Sequence, residues 1–150
     1  VSITGKQTVM GSHGIPVIAD CLFENTDFGD GTVFVLPGGM PGTKNLEHCE
    51  ELMKQVDAFV KDGKLVCAIC AAPSILGHRG HLQGRKATVY PGMEGELTGS
   101  EWVADKAVTD GNIITARGMG CAIAFGLAII EKFKGEQAAD EMAQKVVYQL

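Results

Sequence analysis

Short apolar runs, bounded by glycine and proline, alternate along this chain with stretches in which apolar residues recur every three or four positions. The first rhythm marks strands and the second helices. Residues 1–4, 7–10 and 15–18 predict a strand followed by a hairpin. Residues 20–30 are polar and loop-like, with Phe23 and Phe28 as packing anchors. Residues 32–36 are apolar and stop at Pro37-Gly38-Gly39, which predicts a parallel strand buried on both faces. Leu46, Cys49, Leu52, Met53, Val56, Phe59 and Val60 then recur at helical spacing, and Lys61-Asp62-Gly63 closes that helix. A strand from Leu65 and a short helix to about His78 follow. Residues 86–90 predict another strand, ended by Pro91-Gly92. Residues 106–109 and 112–116, joined by Asp110-Gly111, have the turn chemistry of a hairpin. Gly118-Met119-Gly120 opens a helix carrying Ile123, Leu127, Ile130 and Phe133; Gly135 breaks it, and residues 137–149 form a terminal helix. Strands alternating with helices place the chain in the α/β class, with a mainly parallel sheet.

One stretch organises the rest: Leu65-Val66-Cys67-Ala68-Ile69-Cys70-Ala71-Ala72-Pro73-Ser74. The apolar run ends abruptly at a cysteine, and small residues and a proline lead into a helical pattern. This is a buried strand turning sharply into a helix, with Cys70 at the corner. A side chain there faces the positive end of the helix dipole, an environment that favours a thiolate. The arrangement is the cysteine counterpart of a nucleophile elbow.

Composition narrows the function. The 150 residues fit one domain over 1–150 with a continuous core, 45% hydrophobic and 21% charged. A formal charge of -5 supplies no basic field, which argues against nucleic-acid or anionic-membrane partners. No apolar run approaches the ~20 residues of a membrane span. Five cysteines in no regular framework suggest reduced thiols and a cytoplasmic setting.

Rival readings of the same residues fail on spacing. Cys67 and Cys70 spell C-x-x-C, but positions three apart on a strand face opposite sides. A disulfide needs Cα atoms within ~7 Å, and a strand holds these ~10 Å apart. The same pair with His78 and His81 resembles a zinc spacing, yet the interval from Cys70 to His78 is too short for the ~12 residues of a finger. Both histidines are expected as exposed residues at a helix end, so no metal is expected. Gly38-Gly39-Met40-Pro41-Gly42-Thr43-Lys44 fails the phosphate-loop spacing. Gly118-Met119-Gly120 has Ile123 where a dinucleotide loop needs its third glycine. No cofactor is expected. The glycines at 38 and 39 instead let the backbone pass beside the elbow, where the N–H groups of Gly39 and Ala71 would form an oxyanion hole. No base follows: Ala71 occupies the next position, and His13 and His48 are expected on the surface, Glu94 and Glu96 in a solvated turn.

Val35-Leu36-Pro37-Gly38-Gly39, Ala68-Ile69-Cys70-Ala71-Ala72-Pro73 and Arg117-Gly118-Met119-Gly120, in that order, closely resemble the ThiJ/PfpI superfamily, on the branch of the Parkinsonism-associated deglycase. The resemblance implies a flavodoxin-like three-layer sandwich, usually a homodimer. It also implies Cys70 as the reactive cysteine, Gly39 and Ala71 as backbone donors, and a pocket that includes Gly38, Tyr90, Gly118 and Met119. It implies further that the family's first strand and helix, with the glutamate that hydrogen-bonds the cysteine, lie upstream of Val1. Their absence is expected to expose an apolar edge, and that upstream segment of the same gene product becomes an expected partner. Tyr90 stands where many relatives have histidine, which weighs against a Cys-His pair, and Ala71 argues against peptidase activity. The expected function is a cofactor-free cysteine enzyme acting on small reactive aldehydes such as methylglyoxal, glyoxalase- or deglycase-like. The alternative is an oxidation sensor or redox-regulated chaperone using the same cysteine.

Overall fold

A computed structural model describes residues 1–149. From the N-terminus, β1 (Thr8–Met10) and β2 (Pro16–Ile18) form an antiparallel hairpin apart from the main sheet. Residues 1–4 are not a strand: Ser2 makes one isolated parallel bridge to Leu22. β3 (Val33–Leu36) is followed by α1 (Gly42–Glu47) and α2 (Glu50–Lys61), then β4 (Leu65–Ile69) and α3 (Pro73–His78). β5 (Lys86–Ala87) and β6 (Glu101–Trp102) form a two-residue parallel pair. β7 (Ala107–Asp110) and β8 (Ile113–Ala116) make the second hairpin, and α4 (Ala122–Lys134) and α5 (Glu136–Lys145) complete the chain.

The main sheet has the order β3-β4-β8-β7, with β3-β4 and β4-β8 parallel and β7-β8 antiparallel. Alternation along the strands divides their side chains between two cores. Phe34, Leu36, Val66, Ala68 and Ile113 pack with Leu52, Met53, Val56 and Phe59 of α2 and Ile75 and Leu76 of α3. Leu65, Cys67, Ile114 and Ala116 pack on the other face with Phe125, Ala128 and Ile129 of α4. Each large apolar side chain so buried contributes about 1.5–3 kcal/mol. The result is the three-layer α/β sandwich with a mostly parallel sheet. Phe23 and Phe28 do anchor their loop: their rings meet at 5.2 Å, and Phe28 stacks on Phe34 at 5.6 Å.

Three boundaries and one burial pattern differ from the sequence pattern, each for a local reason. The stretch from Leu46 to Val60 is two helices, because Cys49 takes an extended backbone (φ −85, ψ 92) and starts α2 afresh. Glu50 and Glu51 then occupy the first turn of α2, where the helix dipole favours acids. The expected strand over 86–90 pairs only at Lys86–Ala87. Beyond it the N–H of Thr88 donates to Thr115 Oγ1 and that of Tyr90 to the Cys70 carbonyl, so the segment crosses the strand ends instead of extending the ladder. The terminal helix stops at Lys145, where Val147 turns into the left-handed region (φ 56) and Tyr148 N–H reaches back to the Ala143 carbonyl. Finally, β3 is fully covered on one face only: Phe34 and Leu36 are buried, whereas on the other face Val33 is half-buried and Val35 is 48% exposed.

Candidate active site

At Ile69 the β4 ladder ends and the chain reverses into α3 through Cys70-Ala71-Ala72. Cys70 has φ 66, a left-handed backbone that costs a non-glycine residue of order 1–3 kcal/mol. Hydrogen bonds on both sides hold it there. Its N–H donates to the Ala116 carbonyl at the end of β8 (2.9 Å), and its carbonyl accepts from Tyr90 N–H (2.9 Å). Ser74 Oγ donates to the Ala71 carbonyl (2.7 Å), and Pro73 opens α3 with its fixed φ. The corner is the sharp strand-to-helix turn expected from the sequence.

Gly38 lets a second backbone segment press against this corner. A Cβ at that position would lie 2.5 Å from the Ile69 carbonyl oxygen, 2.6 Å from Cys70 Cβ and 3.0 Å from Ala71 N. Gly39 (φ 87) then swings the chain into α1, its carbonyl accepting from Thr43 N–H (2.8 Å) and Oγ1 (3.0 Å). Among the described residues, neither the Gly39 nor the Ala71 N–H donates to a backbone carbonyl. Two unspent donors therefore flank Cys70.

A cavity of about 400 Å³ opens over the corner, with Gly39 and Met40 on one wall, Cys70 and Ala71 at its base, and Tyr90, Pro91, Gly92 and Met93 opposite. Cys70 and Tyr90 are the titratable side chains among these lining residues. Gly38 lines a neighbouring cavity of about 590 Å³ that Gly39 and Met40 share. Gly118 stands behind the Tyr90 ring, where an added Cβ would come within 3.6 Å of Cδ2, and the side chain of Met119 is 89% exposed. The cavity thus brings together Cys70, Gly39, Ala71 and Tyr90, and leaves Gly118 and Met119 outside its wall. An apolar groove of about 590 Å³ runs along the free edge of β3, lined by Val1, Ile3, Phe28, Val33, Val35 and Leu46 among others. Its polar side chains are Thr26 and Asp27, and no cysteine lines it.

The remaining candidates are explained by their partners. Cys67 is fully buried, and burial pushes its thiol up to about 12, so it is an inert core residue. All five cysteines are free thiols. Glu94 turns back on its own turn, accepting from Gly92 N–H (3.0 Å), and that bond holds its carboxyl below the usual carboxylate range. His13 and His48 are exposed, as expected. His78 is exposed at the end of α3, as expected, and His81 just beyond it is half-buried; both also hold carboxylate partners. His78 Nδ1 lies 2.6 Å from Glu47 Oε1 and Nε2 2.7 Å from Glu96 Oε2. His81 Nε2 lies 2.6 Å from Asp57 Oδ1, and Asp57 also accepts from Arg79, which holds its carboxyl below its ordinary range. These partners come from 18 to 31 residues away, and no local pattern announces them. Among the described residues, no group of three or more His, Cys, Asp or Glu is placed to hold a metal ion.

Residues 1–132 match the DJ-1/PfpI family. The chain belongs to that family. It is 38% identical over 149 residues to the DJ-1 homolog A protein of Arabidopsis thaliana, covering 95% of this chain and 38% of that one. It is 35% identical over 114 residues to a protein of Pyrococcus horikoshii named a deglycase, covering 75% of this chain and 68% of the relative. Among solved structures, oxidized Toxoplasma gondii DJ-1 superposes with a TM-score of 0.90 at 29% identity, over 97% of this chain and 79% of the other. The chain therefore spans under half the length of the plant relative and about four-fifths of the Toxoplasma chain. In this DJ-1/PfpI chain no helix among the described residues is long and apolar enough to cross a membrane.

Proposed function

We propose that this DJ-1/PfpI protein is a cysteine-dependent enzyme of reactive aldehydes, with methylglyoxal as the representative substrate and without a cofactor. The observation that carries the reading is the left-handed Cys70 at the base of a small cavity, flanked by the unspent N–H groups of Gly39 and Ala71. The Cys70 thiolate forms a C–S bond to the aldehyde carbon, and the carbonyl electron pair moves onto oxygen. Gly39 and Ala71 donate to that oxyanion. A base then carries the proton from this carbon to the neighbouring carbonyl carbon, and water releases lactate from the thioester. The lining residues offer no carboxylate for the proton transfer, and the family resemblance implies a glutamate from a segment upstream of Val1 for that role. The free edge of β3 and the groove beside Val35 offer that segment a place to pair. We further propose a cytoplasmic homodimer; the exposed Met10, Ile15, Val17 and Ile18 of the β1–β2 hairpin offer an apolar face for it.

The test is methylglyoxal consumption by the full chain and by its Cys70→Ser variant. Turnover abolished in the variant is the expected result, and full activity in the variant overturns the mechanism. A second reading, an oxidation sensor or chaperone, draws on the same free donors, which suit a sulfinate as well as an alkoxide. Two equivalents of peroxide would convert the thiolate to a sulfinate with release of two waters. Stable gain of two oxygens at Cys70 by mass spectrometry, with no aldehyde turnover, would favour it.

A further inference from the structure

The three segments that wall the Cys70 cavity each run on into a short helical element, and all three elements meet again at one side chain. Gly39-Met40 leads into α1, which ends at Glu47. Cys70-Ala71 leads into α3, which ends at His78. Tyr90–Met93 leads into a 3-10 turn, Glu94–Glu96. At that far end the His78 ring touches Glu47 through Nδ1 (2.6 Å) and Glu96 through Nε2 (2.7 Å). The turn also lies directly on α3: a Cβ on the buried Gly77 would fall 2.3 Å from the Glu96 carbonyl oxygen.

We propose that His78 is a positioning residue, an imidazolium clamp that ties the three walls of the Cys70 cavity together and releases them as pH rises. The argument is one of donors. Both carboxylates are acceptors, and only an imidazolium has an N–H on each ring nitrogen. A neutral ring donates to one carboxylate and turns a lone pair toward the other at hydrogen-bond distance. The charged groups around the ring agree. Glu47 of α1, and then Glu96 of the turn, raise the His78 pKa above its ordinary 6.5. Arg79, immediately after α3, is turned instead to Asp57 of α2, which also holds His81. With the folded value raised, the clamp is complete below pH 6.5 and is lost as pH climbs through the raised value.

Hydrogen exchange of the full chain tests this without substrate. Peptides covering 43–49 and 92–97 report the outer walls, and residues 66–69 of β4 serve as the internal control. At about pH 6, His78→Gln is expected to lose protection about fivefold in both wall peptides and not in β4, the scale of a partly exposed ion pair. The wild type is expected to lose the same protection on going to about pH 9. His78→Arg, whose guanidinium keeps donors to both sides at either pH, is expected to keep it throughout. Equal wall protection in wild type and His78→Gln at the lower pH overturns the clamp, as does a wild-type pH response in His78→Arg. If the glutamine variant unfolds altogether, the arginine variant decides alone. The clamp's importance for catalysis rests on the Cys70 reading above, but exchange separates the two. Flat protection with turnover intact rejects the clamp, and pH-dependent protection without turnover rejects the aldehyde reading.

Discussion

The interior of β4 and its C-terminal end hold the same residue type three positions apart, with opposite fates. Cys67 lies between paired strands and under α4, with no exposure, and burial keeps its thiol protonated to about pH 12. Cys70 lies one residue past the ladder, in a left-handed backbone, at the base of a cavity with two unspent N–H groups beside it. Neither thiol differs chemically before folding. The difference in surroundings comes from where the hydrogen-bond ladder stops: the strand interior closes over Cys67, and the strand exit leaves Cys70 facing a cavity. Size teaches the same thing. The apolar groove along β3 is larger than the Cys70 cavity, yet no cysteine lines it.

The sharpest way to break the contrast is to push the second backbone away from the corner. In Gly38→Ala the new methyl meets the Ile69 carbonyl oxygen at 2.5 Å and Cys70 Cβ at 2.6 Å, neither of them the loose end of a flexible side chain. The segment carrying Gly39 must shift away from the Cys70–Ala71 corner, which moves one of the two proposed donors. Overpacking of this kind costs about 1–3 kcal/mol, and each kcal/mol lowers Tm by roughly 2–4 °C in a domain of this size. A displacement near 1 Å at reacting groups is worth a loss of about hundredfold in turnover. Methylglyoxal kinetics and a thermal melt on the full chain check both; turnover within a factor of about two of wild type would remove Gly38 from the account.

The elbow was legible because its signals are local. An apolar run ending at Ile69, a cysteine, two alanines and a proline determine strand, corner and helix within a few residues, and Pro37-Gly38-Gly39 marks the companion turn the same way. Resemblance to a known family supplied what local pattern cannot, namely that these two turns come together; the Arg117-Gly118 loop it also implied reaches only the outside of the Tyr90 ring. What escaped depends on partners distant in sequence. His78 looks like a solvated helix end until Glu47 and Glu96 arrive from other elements. Residues 86–90 look like a strand because Thr88, Val89 and Tyr90 are β-formers, yet the N–H groups of Thr88 and Tyr90 are taken by Thr115 Oγ1 and the Cys70 carbonyl. Val35 sits in an unbroken apolar run that reads as doubly buried, and only the sheet order shows that β3 has a free edge.

A smaller effect sharpens the other side of the contrast. Because the folded Cys67 thiol is raised above its ordinary 9.0 to about 12, the unfolded chain gives up that proton first as pH rises. Above pH 9 the unfolded state binds fewer protons than the folded one, so this residue's contribution to stability falls with pH across that window. Denaturant unfolding of wild type and Cys67→Ala from about pH 8 to about pH 10.5 is expected to show the wild type losing more stability than the variant. Parallel losses would mean that Cys67 is not held protonated. Iodoacetamide adds a qualitative check, labelling Cys70 in the native protein and Cys67 only after denaturation.

The smallest expected effect lies just outside the cavity. Met119 lies within the third motif and is a pocket candidate by sequence, but its side chain is 89% exposed and the cavity wall passes through Tyr90–Met93 instead. Gly118 behind the Tyr90 ring is the point at which this loop reaches the wall. Met119→Gln removes an exposed thioether and adds no bulk against the ring. Stability is expected to stay within about 0.5 kcal/mol, as for surface substitutions in general. Aldehyde turnover and the rate of Cys70 alkylation should likewise stay within a factor of about two of wild type. A selective rise in KM with kcat unchanged would instead show that Met119 folds over bound substrate. The cavity would then extend from the corner of β4 to the start of α4, and the contrast between strand interior and strand end would widen to take in the neighbouring loop.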